Sequence, residues 1–163
     1  MKRLNDRSKF LDQKEIEEFI SDHIPYRLRI LHNLISYPNP VNKDTYWPSI
    51  YESAQIVCRM FIEFFGFGVN GKDDPVLVEN RRYFSKDGIN SYEVKIKDLG
   101  FDFINLQELS LDEQSVLAHA YEAGNRATAH LTYKSPFITD HKKVIQAASI
   151  IIRIFKERIK NYS

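Results

Sequence analysis

The chain has 163 residues, of which 43% are hydrophobic and 28% are charged, a composition that suits one globular domain with its own core. The 23 basic and 22 acidic residues leave a formal charge of +1, which excludes a strongly basic nucleic-acid-binding protein but not a local basic patch. The single cysteine excludes an intrachain disulfide framework and cysteine-rich zinc sites. Because there is no long apolar run and no apolar segment typical of a signal peptide, we expect a soluble, cytoplasmic protein without membrane contact.

Two helices are predicted near the start of the chain, after ten polar residues, 1–10, that we expect to be flexible. Asp12 and Glu15 form a capping pattern with the aspartate at the N-cap, and apolar residues follow at helical spacing. Pro25 marks either a kink in this helix or the start of a second one, because proline is tolerated in the first turn of a helix. The helical pattern continues to about Tyr37.

A loop and a strongly apolar helix follow. Three prolines within residues 37–48 indicate the loop. Ser49 and Glu52 form a capping box that predicts a helix running to about Phe65, apolar on more than one face. We therefore expect this helix to be the most buried one. Three glycines are expected to end it, namely Gly66, Gly68 and Gly71.

Two features of that apolar helix favour structural roles. Cys58 lies among apolar residues, which indicates a buried thiol rather than a nucleophile. Arg59 and Glu63 are four residues apart, a spacing that favours an ion pair on the helix surface.

Residues 76–109 are predicted to be an insert between helices. Asp87 and Gly88 are turn residues, and they separate residues 83–85 from residues 92–96, where apolar and charged side chains alternate. This pattern predicts a small β-hairpin.

The last two helices carry clear start signals. Ser110 and Glu113 form a second capping box, which opens a helix running to about Thr132. Thr139 or Asp140 caps a final helix with a wide apolar stripe and a basic end. The expected fold is mainly α-helical, a single-domain bundle of four or five helices over residues 1–163 with a β-hairpin insert.

Polar residues form a line along the predicted helix that begins after Ser110. On a helical wheel, His119, Glu122, His130 and Tyr133 fall within about 40° of Arg126. One interpretation is a solvated helix face with a Glu122–Arg126 ion pair. The other is a site for a phosphodiester, because histidine transfers protons near neutral pH and arginine matches phosphate oxygens. With one acidic residue in the line, we expect neither a metal site nor a cofactor.

The opposite side of the same helix is small and apolar. It includes Ala120, Gly124, Ala127 and Thr128. Glycine inside a helix costs about 1 kcal/mol relative to alanine, so its presence here indicates the close approach of another helix.

The segment from Gly124 to His130 reads Gly-Asn-Arg-Ala-Thr-Ala-His and lies near the end of the penultimate predicted helix. It resembles the motif of the HEPN superfamily (higher eukaryotes and prokaryotes nucleotide-binding domains), in its variant with a Gly-Asn pair followed by Ala-His. The resemblance implies a dimerising bundle of four to five helices. Active members are metal-independent endoribonucleases in toxin–antitoxin, CRISPR-linked and anti-phage systems. The implied partners are therefore RNA or a nucleotide, a second copy of the chain, and an antitoxin or defence-system protein.

The resemblance also assigns roles to residues. His130 would transfer a proton near the ribose 2′-hydroxyl, Arg126 would bind the scissile phosphate, and Asn125 would position one of them. Tyr133 would correspond loosely to a tyrosine that accepts nucleotides in some members. Only three residues separate Arg126 from His130, against four to six in catalytic members. Two hypotheses therefore remain open, a dimeric endoribonuclease and a non-catalytic dimerising module that binds a nucleotide or a protein, with His119 and Glu122 completing the binding line.

Two other clusters have weaker signals. Residues 22–29 and His32 combine acidic, basic and aromatic side chains, which predicts either a cleft or a partner-facing surface, or else a solvated helix start. Residues 81–84 place two arginines before a tyrosine and a phenylalanine, which indicates either a nucleic-acid contact or a solvated hairpin.

Overall fold

Apolar residues spaced three and four apart give each long helix one buried face, and these faces meet in a bundle. The computed structural model of the chain describes residues 11–37, 47–71, 74–81, 93–129 and 140–159. The helices are α1 (Gln13–Glu18), α2 (Ile24–Ser36), α3 (Trp47–Phe64), α4 (Leu111–Ala129) and α5 (His141–Arg158).

The helices are arranged around α3, which packs against α2, α4 and α5. Both α2 and α4 also pack against α5, while they make little contact with each other, so they occupy opposite corners of the bundle. The largest fully buried side chains come from all four of these helices and from the hairpin. They include Leu31, Tyr51, Phe67, Leu117 and Phe155. This arrangement confirms the expected mainly α-helical bundle with a β-hairpin.

The expected start signals of three helices are confirmed by their hydrogen bonds. At α1, the Glu15 amide donates to the Asp12 carboxylate and the Asp12 amide donates to the Glu15 carboxylate, both at 2.8 Å. Ser110 and Glu113 make the same reciprocal pair before α4. Asp140 caps α5 by accepting a hydrogen bond from the Lys142 amide at 3.1 Å.

The first two predicted helices are joined without a loop. A single π-helical turn, Phe19–His23, connects α1 to α2. Pro25 lies in the first turn of α2, and because it has no N–H it cannot repeat the hydrogen bond that the Ile24 amide donates to the Phe19 carbonyl of the π turn. The proline therefore coincides with the start of the second helix.

The predicted start of α3 is wrong by three residues, because Ser49 as the N-cap would make Ile50 the first helical residue. The helix begins at Trp47, so Ser49 lies inside its first turn and is not the N-cap. Pro48 explains the earlier start, because proline is favoured in the first turn of a helix.

A β-hairpin is present, but it lies earlier in the chain than the one predicted around Asp87 and Gly88. Strand β1 (Phe67–Asn70) pairs antiparallel with β2 (Val76–Glu79), with Phe67 opposite Glu79. Gly68 was expected to help end α3 but lies in strand β1. Gly66, at φ +96°, takes a left-handed backbone conformation just after the helix and ends it. The stretch predicted as a second strand gives way to a 3₁₀ turn, Ile96–Leu99.

The other expected hairpin residues, the flexible residues 1–10 and most of the 37–48 loop lie outside the described residues. Across the ranges that the structure describes, no helix combines the length and the apolarity that a membrane span needs.

Candidate functional site on helix α4

Helix α4 presents two chemically different sides. Leu117, Ala120, Ala123 and Gly124 are buried against the bundle. On the other side, Arg126 is exposed near the C-terminal end of the helix. The division predicted from the helical wheel is therefore present for the described side chains.

The small residues of α4 allow a close approach to α3. A Cβ atom added at Gly124 would lie 2.6 Å from the Gln55 carbonyl oxygen and 2.7 Å from the Arg59 Cβ. No side chain fits at these distances, so glycine is required here if the two helices keep their spacing. The position of α4, which carries the site, therefore depends on a close contact of its backbone with α3 at Gly124.

The polar line begins with a hydrogen bond that the sequence analysis did not anticipate. Asn125 Nδ2 donates to Glu122 Oε1 at 3.1 Å, so the two residues hold each other on the surface of α4. The expected Glu122–Arg126 ion pair is not formed. Arg126 makes no ion pair with any residue that the structure describes, and its guanidinium is left exposed.

His119 is only partly exposed, because it lies where the start of α5 covers α4. Its Nε2 atom is buried and has no hydrogen-bond partner within the described ranges. Burial lowers the pKa of His119, and the positive charges of Lys143 and Arg126 lower it further, against an opposing effect of Asp140. The imidazole is therefore held in its neutral form, which can accept a proton but carries no charge for a phosphate.

The structure brings together four of the six predicted site residues. Glu122 and Asn125 are hydrogen-bonded to each other. The charge of Arg126 lowers the pKa of His119, which lies about two turns earlier on the same helix. His130 and Tyr133 lie outside the described residues. What α4 shows is thus an exposed guanidinium at Arg126, next in the chain to a carboxamide that is hydrogen-bonded to Glu122, and a guanidinium of this kind can bind a phosphate.

Sequence analysis missed a polar network between α3 and α4. Tyr121 donates from its hydroxyl to Glu63 Oε1 at 2.8 Å, and Arg59 Nε donates to the same oxygen at 3.1 Å. Lys95, which is 2% exposed, donates from Nζ to the Glu63 backbone carbonyl at 2.9 Å and pairs with Glu93 at 3.1 Å. The sequence signals only the expected Arg59–Glu63 pair, because the other partners are distant in the chain.

The network has a clear structural effect on Tyr121. Burial and the neighbouring Glu63 carboxylate raise the pKa of Tyr121 to about 12. Its phenol therefore stays protonated and serves as a donor. Cys58 is fully buried as expected, and burial raises its thiol pKa to about 12, so it is not a nucleophile.

The structure describes only part of the cluster at residues 81–84, and it describes all of the cluster at residues 22–29 and His32. Arg81 donates to Asn105 Oδ1 at 2.7 Å, pairs with Glu79 at 3.2 Å and lies over the Phe103 ring, so it holds the hairpin to the following segment. Residues 82–84 lie outside the described residues. In the other cluster, Asp22 accepts a hydrogen bond from Ser21.

Cavities occur away from the polar side of α4. One of about 260 Å³ lies between α2, α3 and the segment around Lys95. Another of about 270 Å³ lies between α2 and α5. The described residues contain no cluster of three or more His, Cys, Asp or Glu side chains placed to hold a metal ion.

Comparisons with known proteins give no relative: no protein-family model, curated protein or solved structure matches the chain.

Proposed function

We propose that the chain is a HEPN-like RNA-binding domain that cleaves RNA without a metal ion, with the C-terminal end of α4 as its site. The observation that carries this proposal is the exposed Arg126 guanidinium, which has no ion-pair partner in the described ranges. An arginine that is not neutralised by a carboxylate presents a planar set of donors to phosphate oxygens.

The proposed chemistry is transfer of the phosphodiester to the neighbouring ribose hydroxyl. The 2′-oxygen attacks phosphorus, the bond to the 5′-oxygen breaks, and a 2′,3′-cyclic phosphate and a 5′-hydroxyl result. His130 takes the proton from the 2′-hydroxyl, and its copy in a second protomer returns a proton to the leaving oxygen. Arg126 stabilises the charge that develops on the phosphate, while Asn125, held by Glu122, orients the substrate or the arginine.

His119 and Tyr133 have supporting roles in this proposal. His119 is neutral and lies about two helical turns before Arg126, so it contributes no charge to the phosphate site. Tyr133 lies three residues beyond His130 in the sequence and would contact the nucleotide. The domain would act as a cytoplasmic homodimer in a stress, toxin–antitoxin or phage-defence system, controlled by a partner protein.

A second function is favoured by one observation. Because His119 is neutral and its Nε2 atom is buried, Arg126 offers the one positive charge in the described part of the polar line. A non-catalytic, dimerising module that binds a nucleotide or a protein needs no more than this. The two functions differ in whether the protein cuts RNA.

RNA cleavage in the presence of EDTA tests the proposal. Purified full-length protein is incubated with a labelled single-stranded RNA, and the products are analysed by mass spectrometry for cyclic-phosphate ends. We expect cleavage by the wild type and a loss of about 10²-fold or more for Arg126→Ala and for His130→Ala. Lys14→Ala, which removes an exposed cation on α1, is the matched control and should cleave normally.

The result also decides between the two functions. Cleavage that survives in Arg126→Ala would contradict the assigned site. Binding of RNA without cleavage by any variant would favour the non-catalytic module. Light scattering on the same samples measures whether the protein is a dimer.

A further inference from the structure

The outer face of α2 concentrates exposed aromatic side chains. We define this face by Tyr26, Arg29, His32, Asn33 and Tyr37. Both tyrosines are 64% exposed, and they are two of only five large hydrophobic side chains that are exposed in the described ranges. Exposed tyrosine rings offer large, flat apolar surfaces on which another ring can stack.

The same face is positively charged. Arg29 lies between the two tyrosines along the helix, and His32 lies one turn after it. From Ile24 to Ser36, α2 contains no acidic residue. Neither Arg29 nor His32 has an ion-pair or hydrogen-bond partner among the residues that the structure describes.

A cleft continues this face toward α5. It has a volume of about 270 Å³, and Lys156 of α5 lies across it from α2. Lys156 also lacks an ion-pair partner in the described part of the chain. The lining combines apolar and basic residues and consists of Pro25, Leu28, Arg29, His32, Ile152 and Lys156.

We propose that the α2 outer face, together with Lys156, binds single-stranded RNA. Bases stack on Tyr26 and Tyr37, while Arg29, His32 and Lys156 contact phosphates. Alternating aromatic and cationic groups are the chemistry that such strands need, because every base has a face that stacks and every linkage carries a negative charge. The choice of RNA as the strand rests on the proposed function.

The dimensions of the face suit a short strand. Tyr26 and Tyr37 are eleven residues apart, which corresponds to about 16 Å along the helix axis. At about 3.4 Å between stacked nucleotides, this length matches roughly five nucleotides. The two tyrosines therefore mark the ends of a segment comparable to the smallest known single-strand sites.

The position of the α2 outer face separates it from the proposed cleavage site on α4. Helix α2 lies at the corner of the bundle opposite α4. A strand on α2 is therefore not at Arg126 of the same protomer. The α2 outer face would hold RNA beside the bundle and leave another part of the strand for the end of α4.

Equilibrium binding of a fluorescent single-stranded RNA of about 15 nucleotides, in EDTA, tests this inference. The Tyr26→Ala/Tyr37→Ala double variant should bind about tenfold or more weakly. The Arg29→Gln/Lys156→Gln double variant should lower the slope of log Kd against log salt by about 1.4, since two phosphate contacts are lost. The matched controls are Leu111→Ala for the loss of exposed apolar surface and Lys14→Gln/Lys97→Gln for the loss of charge, and both should bind like the wild type.

Several outcomes would overturn the inference. Wild-type affinity in the tyrosine variant would remove α2 from RNA binding. Equal competition by polyglutamate would show a surface that recognises charge alone and fits an acidic protein. Absence of RNA binding at about 100 µM protein would exclude the site. All substituted residues are exposed, and unchanged thermal unfolding by circular dichroism would show that the variants are folded.

The design separates this inference from the proposed function. If the wild type binds RNA through α2 but never cuts it, the inference stands and the proposed chemistry fails. If the α2 variants bind and cleave normally while Arg126→Ala does not cleave, the proposed chemistry stands and the inference fails.

Discussion

At the scale of single residues, Gly124 sets how closely α4, the helix that carries the site, can approach α3. Its helix carries the exposed Arg126, and its backbone touches α3. Helix propensity alone would favour alanine there by about 1 kcal/mol. The contact with α3 opposes this preference, because an added methyl group would collide with the Gln55 carbonyl oxygen and the Arg59 side chain.

We expect Gly124→Ala to destabilise the protein by about 1–3 kcal/mol, because the helices must separate to admit the methyl group. The measurement is urea unfolding followed by circular dichroism. Ser115→Ala is the control, since Ser115 is exposed on the same helix and alanine there should be neutral or slightly stabilising. A Gly124→Ala protein as stable as the wild type would show that α3 and α4 are not held at this distance.

At the scale of elements, the end of α3 is completed by a segment distant in the chain. The last carbonyl groups of a helix have no helical partners and carry partial negative charge. Lys95 supplies a buried cation to the Glu63 carbonyl, and Glu93 balances its charge. The segment around Lys95 is therefore attached to the bundle by a helix end rather than by a β-sheet.

We expect Lys95→Met to lower the free energy of unfolding by about 1–2 kcal/mol, because methionine fills the space but donates no hydrogen bond. Lys97→Met, which changes an exposed lysine in the same segment, should have little effect. Chemical denaturation of both variants measures the difference. Equal stability of the two variants would mean that the Lys95 hydrogen bond contributes nothing net.

At the scale of the whole molecule, the buried core controls the response to alkaline pH. Burial raises the pKa of Cys58 from 9.0 and that of Tyr121 from 10.0, both to about 12. The unfolded chain therefore releases these protons at lower pH than the folded protein. The stabilisation is fully present below about pH 9 and is lost progressively as the pH rises toward 12.

We expect the urea midpoint to fall steadily over that alkaline range, and to fall less steeply in the Cys58→Ala/Tyr121→Phe double variant. Tyr26→Phe is the control, because Tyr26 is exposed and should leave the pH dependence unchanged. Identical slopes for the wild type and the double variant would assign the alkaline loss of stability to other groups.

Local sequence signals predicted most of the helices. Capping residues such as Asp12, Ser110 and Asp140 act over three or four positions, so their effect can be read without tertiary structure. The predicted start of α3 was wrong, and the hairpin at residues 67–79 was not predicted. Ser49 has the sequence pattern of an N-cap, yet the helix begins earlier. The hairpin prediction relied on the turn residues Asp87 and Gly88 and not on Gly66 and Gly71, the glycines on either side of β1.

The site was predicted in part. Periodicity placed Arg126 on the polar side of α4 and Gly124 on the packed side, because both follow from the angle between successive residues. Periodicity did not show that Glu122 bonds Asn125 in place of Arg126, since that choice depends on side-chain rotamers. The Glu63–Tyr121 and Glu63–Lys95 contacts also escaped it, because their partners are separated by 58 and 32 residues.

By itself, the sequence determined the helical class of this protein, its capped helix starts, the burial of Cys58 and the two sides of α4, because each depends on local spacing and hydrophobicity. Only the tertiary structure decided which charges remain unpaired. It left Arg126, Arg29 and Lys156 without ion-pair partners in the described ranges, and it paired Arg59 and Lys95 around Glu63. The physical reason is that an ion pair depends on a distance of a few ångströms between side chains, and packing of the helices sets that distance.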